Sequence, residues 1–345
     1  MERIFIVAEI GCNHNGSKDL AKKMILTAKE CGVDAVKFQV FKASSLISKY
    51  APKADYQIAT TGESDTQLEM TSKLELSYAD IVELKEYAES LGLIAFSTPF
   101  DIDSIKFLCS IGQNLWKIPS GEITNLPYLE MIGAIKCSEK KIILSTGMAS
   151  KEEIKTCINV LKNAGTKEEE LVLLHCNTEY PTPDYDVNIL AINDLKKSFP
   201  NISVGFSDHS EGCVAAIAAS AIGISLIEKH FTLDKNFPGP DHKASVNPNE
   251  LMELVKNVRR VESMLGDGRK KVTESELKNK IVARKSIVAL RDIKKGEFFT
   301  PDNITCKRPG NGISPMQWYD VIGKEAQKDF LEDELIELEG VYWQQ

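Results

Sequence analysis

The chain is 345 residues long, with 42 Lys and Arg against 50 Asp and Glu and a formal net charge of -8. That balance argues against broad nucleic-acid or anionic-membrane binding, both of which need a basic surface, while 43% hydrophobic and 27% charged residues suit a globular chain with a large core. The N-terminal MERIFIVAEIG lacks the apolar core of a signal peptide, the longest apolar stretch, Val214 to Ile222, is too short to span a bilayer, and eight cysteines without a CxxC pair read as reduced thiols, so a cytoplasmic protein of about two domains is expected.

Residues 4 to 9 form a short apolar run ending in Glu9, followed by the turn GCNHNG. Leu20, Met24, Ile25, Ala28 and Cys31 then recur at helical spacing, with Ser17 as N-cap and Gly32 as stop. The strand DAVKFQ comes next, and after it a long connection, 40 to 75, of the kind that has a role in a site. The alternation then repeats. Strands are expected at 93–97, 115–119, 141–145, 171–176, 202–206 and 225–229, and helices at 77–90, 101–111, 126–136, 150–164, 187–198, 211–222 and 248–264. Eight strands alternating with eight helices predict an α/β fold, a TIM (β/α)8 barrel over 1–265. A doubly wound open sheet usually has fewer strands and often a glycine fingerprint after the first, which GCNHNG is not. Residues 266–283 are polar and read as a linker with some helix. Residues 284–345 read as short strands joined by Gly/Pro turns, a small mostly-β domain.

In a barrel, chemistry gathers at the C-terminal ends of the strands. Here those ends are polar throughout, with Asp208 and Asp241 among the acidic groups. Lys37 and Lys117 stand inside apolar strands, where lysine is uncommon. With hydroxyls such as Thr98, Ser120, Ser145 and Ser207 at neighbouring strand ends, they make a cradle for an anion, most naturally phosphate. A Schiff-base lysine is the rival role, and an internal salt bridge from Lys37 to Glu9 the structural alternative. Glu9 and Glu122 share the rim and are placed to handle protons.

Two strand-like runs, ISVGF and SLIEK, lead into His209 and His230. If they are parallel neighbours, about 4.8 Å apart, both imidazoles can reach one metal ion at roughly 2.1 Å. Carboxylates nearby, Asp208 and Asp241, favour Mg²⁺ or Mn²⁺ over a closed zinc site.

The motifs AEIGCNHNG, VKFQ, FSTPFD, WKIPSGE, LSTGM, NTEYPTP, GFSDHS, EKHFTLD, GPDHKAS and KRPGNGISP run in order along the whole chain. Together they resemble the N-acetylneuraminate (sialic acid) synthase family. The resemblance implies a TIM barrel followed by an antifreeze-like (SAF) domain, and a domain-swapped homodimer. It implies condensation of phosphoenolpyruvate with open-chain N-acetylmannosamine, releasing phosphate. Sister enzymes take 2,4-diacetamido-2,4,6-trideoxymannose, giving legionaminic acid, or a 6-phosphorylated N-acetylmannosamine. His209 and His230 correspond to Mn²⁺ or Mg²⁺ ligands. Lys37, Thr98, Lys117, Ser120, Ser145 and Ser207 correspond to phosphoenolpyruvate contacts, as does one of Asn177 and Thr178, a pair whose order differs in some members. Glu9, Tyr180 and Asp241 correspond to sugar contacts, Gln39 to a partner of metal-bound water beside the sugar, and Glu122 to the acid/base for the attacking water. Arg308 corresponds to an arginine that the partner chain aims at the N-acetyl group. Tyr56 or Gln57 is a further candidate sugar contact.

Overall fold

The computed structural model describes residues 3–339. The chain divides into two compact units, Met1–Gly266 and Asp267–Gln345.

The first unit carries eight parallel strands: β1 Phe5–Gly11, β2 Ala35–Val40, β3 Ile94–Pro99, β4 Leu115–Ile118, β5 Lys141–Ser145, β6 Leu171–His175, β7 Ser203–Asp208 and β8 Leu226–His230. Their order, β3-β2-β1-β8-β7-β6-β5-β4, closes a barrel except at one seam. Among the described pairings, β3 and β4 share no ladder. Side chains bridge the seam instead. Buried Gln113, two residues ahead of β4, accepts from Ser97 N and donates to Ser97 O, both at 2.8 Å. Tyr128 OH donates to Pro99 O at 2.8 Å.

The helices form for the reasons their spacing suggests. Helix Lys18–Cys31 buries Ala21, Met24, Ile25, Ala28 and Cys31, Ser17 accepts from Leu20 N, and Gly32 ends it at φ +83. Three expectations shift. The helix expected at 187–198 breaks at Asn188, which turns left-handed, leaving Asp184–Val187 and Ala191–Ser198. The helix expected from 211 begins only at Val214, after Gly212 at φ +68. The long connection holds three short helices, Ala43–Leu46, Asp55–Thr61 and Gln67–Ser72, the last set by a Thr66–Glu69 capping box.

The barrel interior is layered by the two-residue period of its strands. Val7, Ala35, Phe96, Ile143, Leu174 and Leu226 make an apolar plug. Two residues further along the same strands stand Glu9, Lys37, Thr98, Ser145, Cys176 and Glu228. On β7 the plug position is Gly205, where an added Cβ would lie 2.6 Å from Leu174 Cδ2 and from Leu226 O. Only glycine lets its neighbours fill that layer.

The second unit has its own core, including Ile287, Ile293, Phe299, Val321 and Phe330. Its antiparallel strands are β9 Ser286–Ala289 and β10 Ile304–Lys307. The helix within the expected linker, Glu274–Ala283, belongs to this unit.

Candidate active site

A cavity of about 460 Å³ opens over the C-terminal ends of the barrel strands. Its floor is a chain of alternating charges. Glu9 Oε2 lies 2.8 Å from Lys37 Nζ, Lys37 Nζ lies 3.2 Å from Glu228 Oε2, and Lys117 Nζ donates to both Glu228 oxygens at 2.8 and 3.0 Å. All four side chains are buried. Ser207 donates to Glu228 at 2.8 Å, Lys37 donates to Thr98 Oγ1 at 3.1 Å, and Gln39 donates to Glu9 at 3.2 Å.

Burial sets the electrostatics, and the partners modulate it. Burial pushes Glu9 up, against the pull of Lys37. Burial also raises Glu228, but Lys117 and Lys37 overcome this and hold it below the ordinary carboxylate range. Lys37 stays above its usual value because Glu228 and Glu9 outweigh desolvation, a charged state unsuited to an amine nucleophile. Lys117 is lowered, chiefly by burial. The salt bridge weighed as a structural alternative for Lys37 is therefore present, and the same ammonium lines the cavity.

His209, just past β7, and His230, the last residue of β8, face each other with ring centroids 5.3 Å apart. Burial lowers His209 to about 4 and His230 well below its usual value, so both imidazoles are neutral. His209 Nδ1 meets the Asn177 carbonyl, a contact that leaves Nε2 with its lone pair toward Ser207 Oγ at 3.1 Å and Tyr180 OH at 3.3 Å. Among the described residues His230 Nδ1 has no hydrogen-bond partner, and it lies 3.7 Å from Asp241 Oδ2. Burial raises Asp241 to about 6. Cys12 Sγ donates to Asp241 at 3.5 Å. Among the described residues no three His, Cys, Asp or Glu side chains are grouped to hold a metal. The donor set offered to a cation is thus two neutral imidazoles, one with an unpartnered buried nitrogen, which suits an open catalytic centre better than a closed structural one.

Tyr180 stacks on His209 at 4.2 Å, and Tyr56 packs on Tyr180 at 5.3 Å. Ser120 accepts from Gly147 N at 3.0 Å. A Cβ on Gly147 would stand 2.8 Å from Ser120 Oγ and from Thr178 Cγ2, so this approach requires glycine. Glu122 lines the cavity rim, accepts from Asn125 at 2.6 Å and is raised by burial. The 41–75 connection covers one side with Phe41, Leu46, Ile47, Met70 and Leu74, and none of its charged residues lines the cavity. Those charges pair elsewhere: Lys53 with Asp65, Lys73 with Asp65 at 2.8 Å, and Lys42 with Glu75 at 3.5 Å.

The structure thus gathers Glu9, Lys37, Gln39, Thr98, Lys117, Ser120, Glu122, Ser145, Thr178, Tyr180, Ser207, His209, His230 and Asp241 around one cavity, together with Tyr56 and Gln57. Asn177 is not among the lining residues: its side chain accepts from Glu179 N, and its carbonyl orients His209. Asp208 does not join the histidines. It lies one residue from inward Ser207, so strand alternation turns it outward, where it pairs with Lys229 at 3.0 Å and accepts from Ser210. Arg308 lies in the second unit, exposed, its Nε donating to Ala283 O at 3.1 Å. The residue missed from sequence is Glu228, although its spacing two before His230 already placed both on the inward face of β8.

Comparison with known proteins agrees with this geometry. The profile of the NeuB family matches residues 24–270, and that of the SAF domain residues 284–341. The chain is 50% identical over 336 residues to an N,N'-diacetyllegionaminic acid synthase of Campylobacter jejuni, covering 97% of this chain and 99% of that one. It is 45% identical to an N,N'-diacetyllegionaminic acid synthase of Legionella pneumophila, covering 92% and 89%. A crystal structure of N-acetylneuraminic acid synthetase from Leptospira borgpetersenii in complex with citrate superposes with a TM-score of 0.69 at 32% identity, covering 81% of this chain and 90% of that one. With the barrel, the lysine–carboxylate floor and the paired imidazoles in place, the chain belongs to the NeuB family of nonulosonate synthases and carries a C-terminal SAF domain.

Proposed function

We propose that this enzyme condenses phosphoenolpyruvate with open-chain 2,4-diacetamido-2,4,6-trideoxymannose, giving N,N'-diacetyllegionaminic acid and phosphate. The sequence reading put N-acetylmannosamine first. The near full-length likeness to two legionaminic acid synthases favours the sister acceptor. The observation that carries the reaction type is the buried Lys37–Glu228–Lys117 nest beside two neutral imidazoles.

In this reading Lys37 and Lys117 receive the anionic groups of phosphoenolpyruvate, with Thr98, Ser120, Ser145, Thr178 and Ser207 as hydrogen-bond partners. His209 and His230 would hold Mn²⁺ or Mg²⁺, which when bound supplies Lewis-acid polarisation of the sugar aldehyde. Glu9, Gln39, Tyr180 and Asp241 orient the sugar. The methylene carbon C3 of phosphoenolpyruvate bonds to the aldehyde carbon, leaving C2 as an oxocarbenium centre, and the aldehyde oxygen takes a proton from water. Water then adds to the cationic former enol centre. Glu122 at the rim is placed to accept one of that water's protons; the C–O bond to phosphate then breaks as C2 becomes a ketone, and the remaining hydroxyl proton leaves with the departing phosphate. A homodimer in which one copy's Arg308 reaches the other's sugar is part of the reading.

Phosphate release with Mn²⁺, phosphoenolpyruvate and each of three acceptors tests it. The highest kcat/KM is expected with the 2,4-diacetamido sugar. Preference for N-acetylmannosamine or its 6-phosphate would refute the acceptor assignment, and no release with any sugar the reaction type. The cavity itself weighs against a 6-phosphate: Lys37 and Lys117 are the cations lining it among the described residues, and both are paired on the floor.

A further inference from the structure

We infer that the connection between β2 and the helix Tyr78–Ser90 is the acceptor-selecting element, and that Leu46 and Met70 on it form the surface against which the deoxygenated end of the sugar packs. The inference rests on the functional reading above and goes beyond it by assigning the selectivity to particular side chains.

The cavity has two unlike sides. The charged groups that line it, Glu9, Lys37, Lys117, Glu122, Glu228 and Asp241, stand on the strands or on the loops that follow β4 and β8, and the imidazoles stand there too. A sugar aldehyde must lie at that side to meet the methylene carbon of phosphoenolpyruvate. The other end of a six-carbon chain then extends away from the strand ends. The 41–75 connection lines the cavity with the apolar Phe41, Leu46, Ile47, Met70 and Leu74, alongside the polar Tyr56, Gln57, Gln67 and Thr71. Gln57 Oε1 accepts from Ala54 N at 3.0 Å and from Gln67 Nε2 at 3.3 Å. Behind the lining, Thr61 Oγ1 donates to Gln57 O at 2.7 Å and lies 3.4 Å from the Met70 sulfur, which helps hold both lining residues in place. Where that wall is carbon, at Leu46 and Met70, a hydroxyl pressed against it gives up water without gaining a partner, whereas a methyl group loses nothing. The 6-deoxy carbon and the second acetamido methyl of a 2,4-diacetamido-2,4,6-trideoxy sugar are the groups this wall suits. The charges that fold the connection, Lys53, Asp65 and Lys73, are bound to each other away from the cavity. The wall can therefore change its lining without unmaking its scaffold.

The test uses the full chain with Mn²⁺ and phosphoenolpyruvate. Leu46→Gln and Met70→Gln are assayed with 2,4-diacetamido-2,4,6-trideoxymannose and with N-acetylmannosamine. Each variant is expected to move the kcat/KM ratio toward N-acetylmannosamine by about tenfold, with the KM for phosphoenolpyruvate within about twofold of the parent. Leu46, half-buried at the end of a one-turn helix, serves if Met70→Gln lowers the melting temperature sharply. Equal losses with both sugars, or a ratio left unchanged, overturn the inference. A parent enzyme that already prefers N-acetylmannosamine defeats the functional reading instead, so the two failures are distinct.

Discussion

Glu228 reaches from β8 across the barrel to hold Lys117 of β4 through both carboxylate oxygens, at 2.8 and 3.0 Å. The same carboxylate lies 3.2 Å from Lys37 of β2. Three strands are thereby tied through one buried anion, and the two lysines that would receive the substrate keep a resident counter-charge. Glu228→Gln leaves two buried ammoniums facing a neutral amide. Removing one partner of a buried pair costs about 3–5 kcal/mol. A calorimetric melting temperature at least several degrees lower is expected, with a raised KM for phosphoenolpyruvate. An unchanged melt would show that Glu228 does not support the lysines.

The imidazole pair gives a second prediction. His209→Ala and His230→Ala each remove one of the two donors. Metal activation of a carbonyl is worth several kcal/mol, so turnover should drop at least about hundredfold. Mn²⁺ titration followed by electron paramagnetic resonance should show weakened binding in both. Normal Mn²⁺ affinity in either variant would move the metal elsewhere.

Away from the proposed metal ligands, two histidines shape acid stability. Burial holds His14 and His242 at about 4, against about 6.5 in an unfolded chain. Between those values the unfolded state binds more protons, so stability falls as the pH drops from about 6.5 toward 4, by up to about 1.4 kcal/mol per pH unit for each group. His242 Nδ1 sits 2.7 Å from Thr232 Oγ1, and its Nε2 sits 3.2 Å from Asn15 Oδ1. His242→Gln should flatten the acid limb of a melting-temperature profile; a curve parallel to the parent's would contradict this origin.

Gly147→Ala would place a methyl group 2.8 Å from Ser120 Oγ and Thr178 Cγ2. Such overpacking costs about 1–3 kcal/mol. The strain falls on two proposed phosphoenolpyruvate contacts, so KM for phosphoenolpyruvate should rise more than KM for the sugar. Equal effects on both would separate Ser120 and Thr178 from the anion.

At the seam, Gln113→Ala strips Ser97 of both backbone partners. Leaving a buried backbone group unpaired costs about 1–3 kcal/mol. Faster amide exchange at Ser97 than at Ala95 or Phe96 is the expected signature, and unchanged exchange would mean that other contacts close the barrel.

The order of elements, the eight strands and the inward face of each were legible in the chain, because strand alternation and helical spacing are local. That is why Glu9, Lys37, Lys117, His209 and His230 could be placed on one rim from sequence. Asp208 was misassigned by ignoring the same alternation, and Glu228 was passed over though the alternation included it. What locality cannot supply is the partner. Glu228 and Lys117 are 111 residues apart. Which carboxylate meets which lysine, which carbonyl orients His209 and which wall faces the sugar depend on how the barrel closes and how the 41–75 connection folds. Periodicity assigns a side chain to a face, and only the closed barrel sets its distance from a group on the opposite strand.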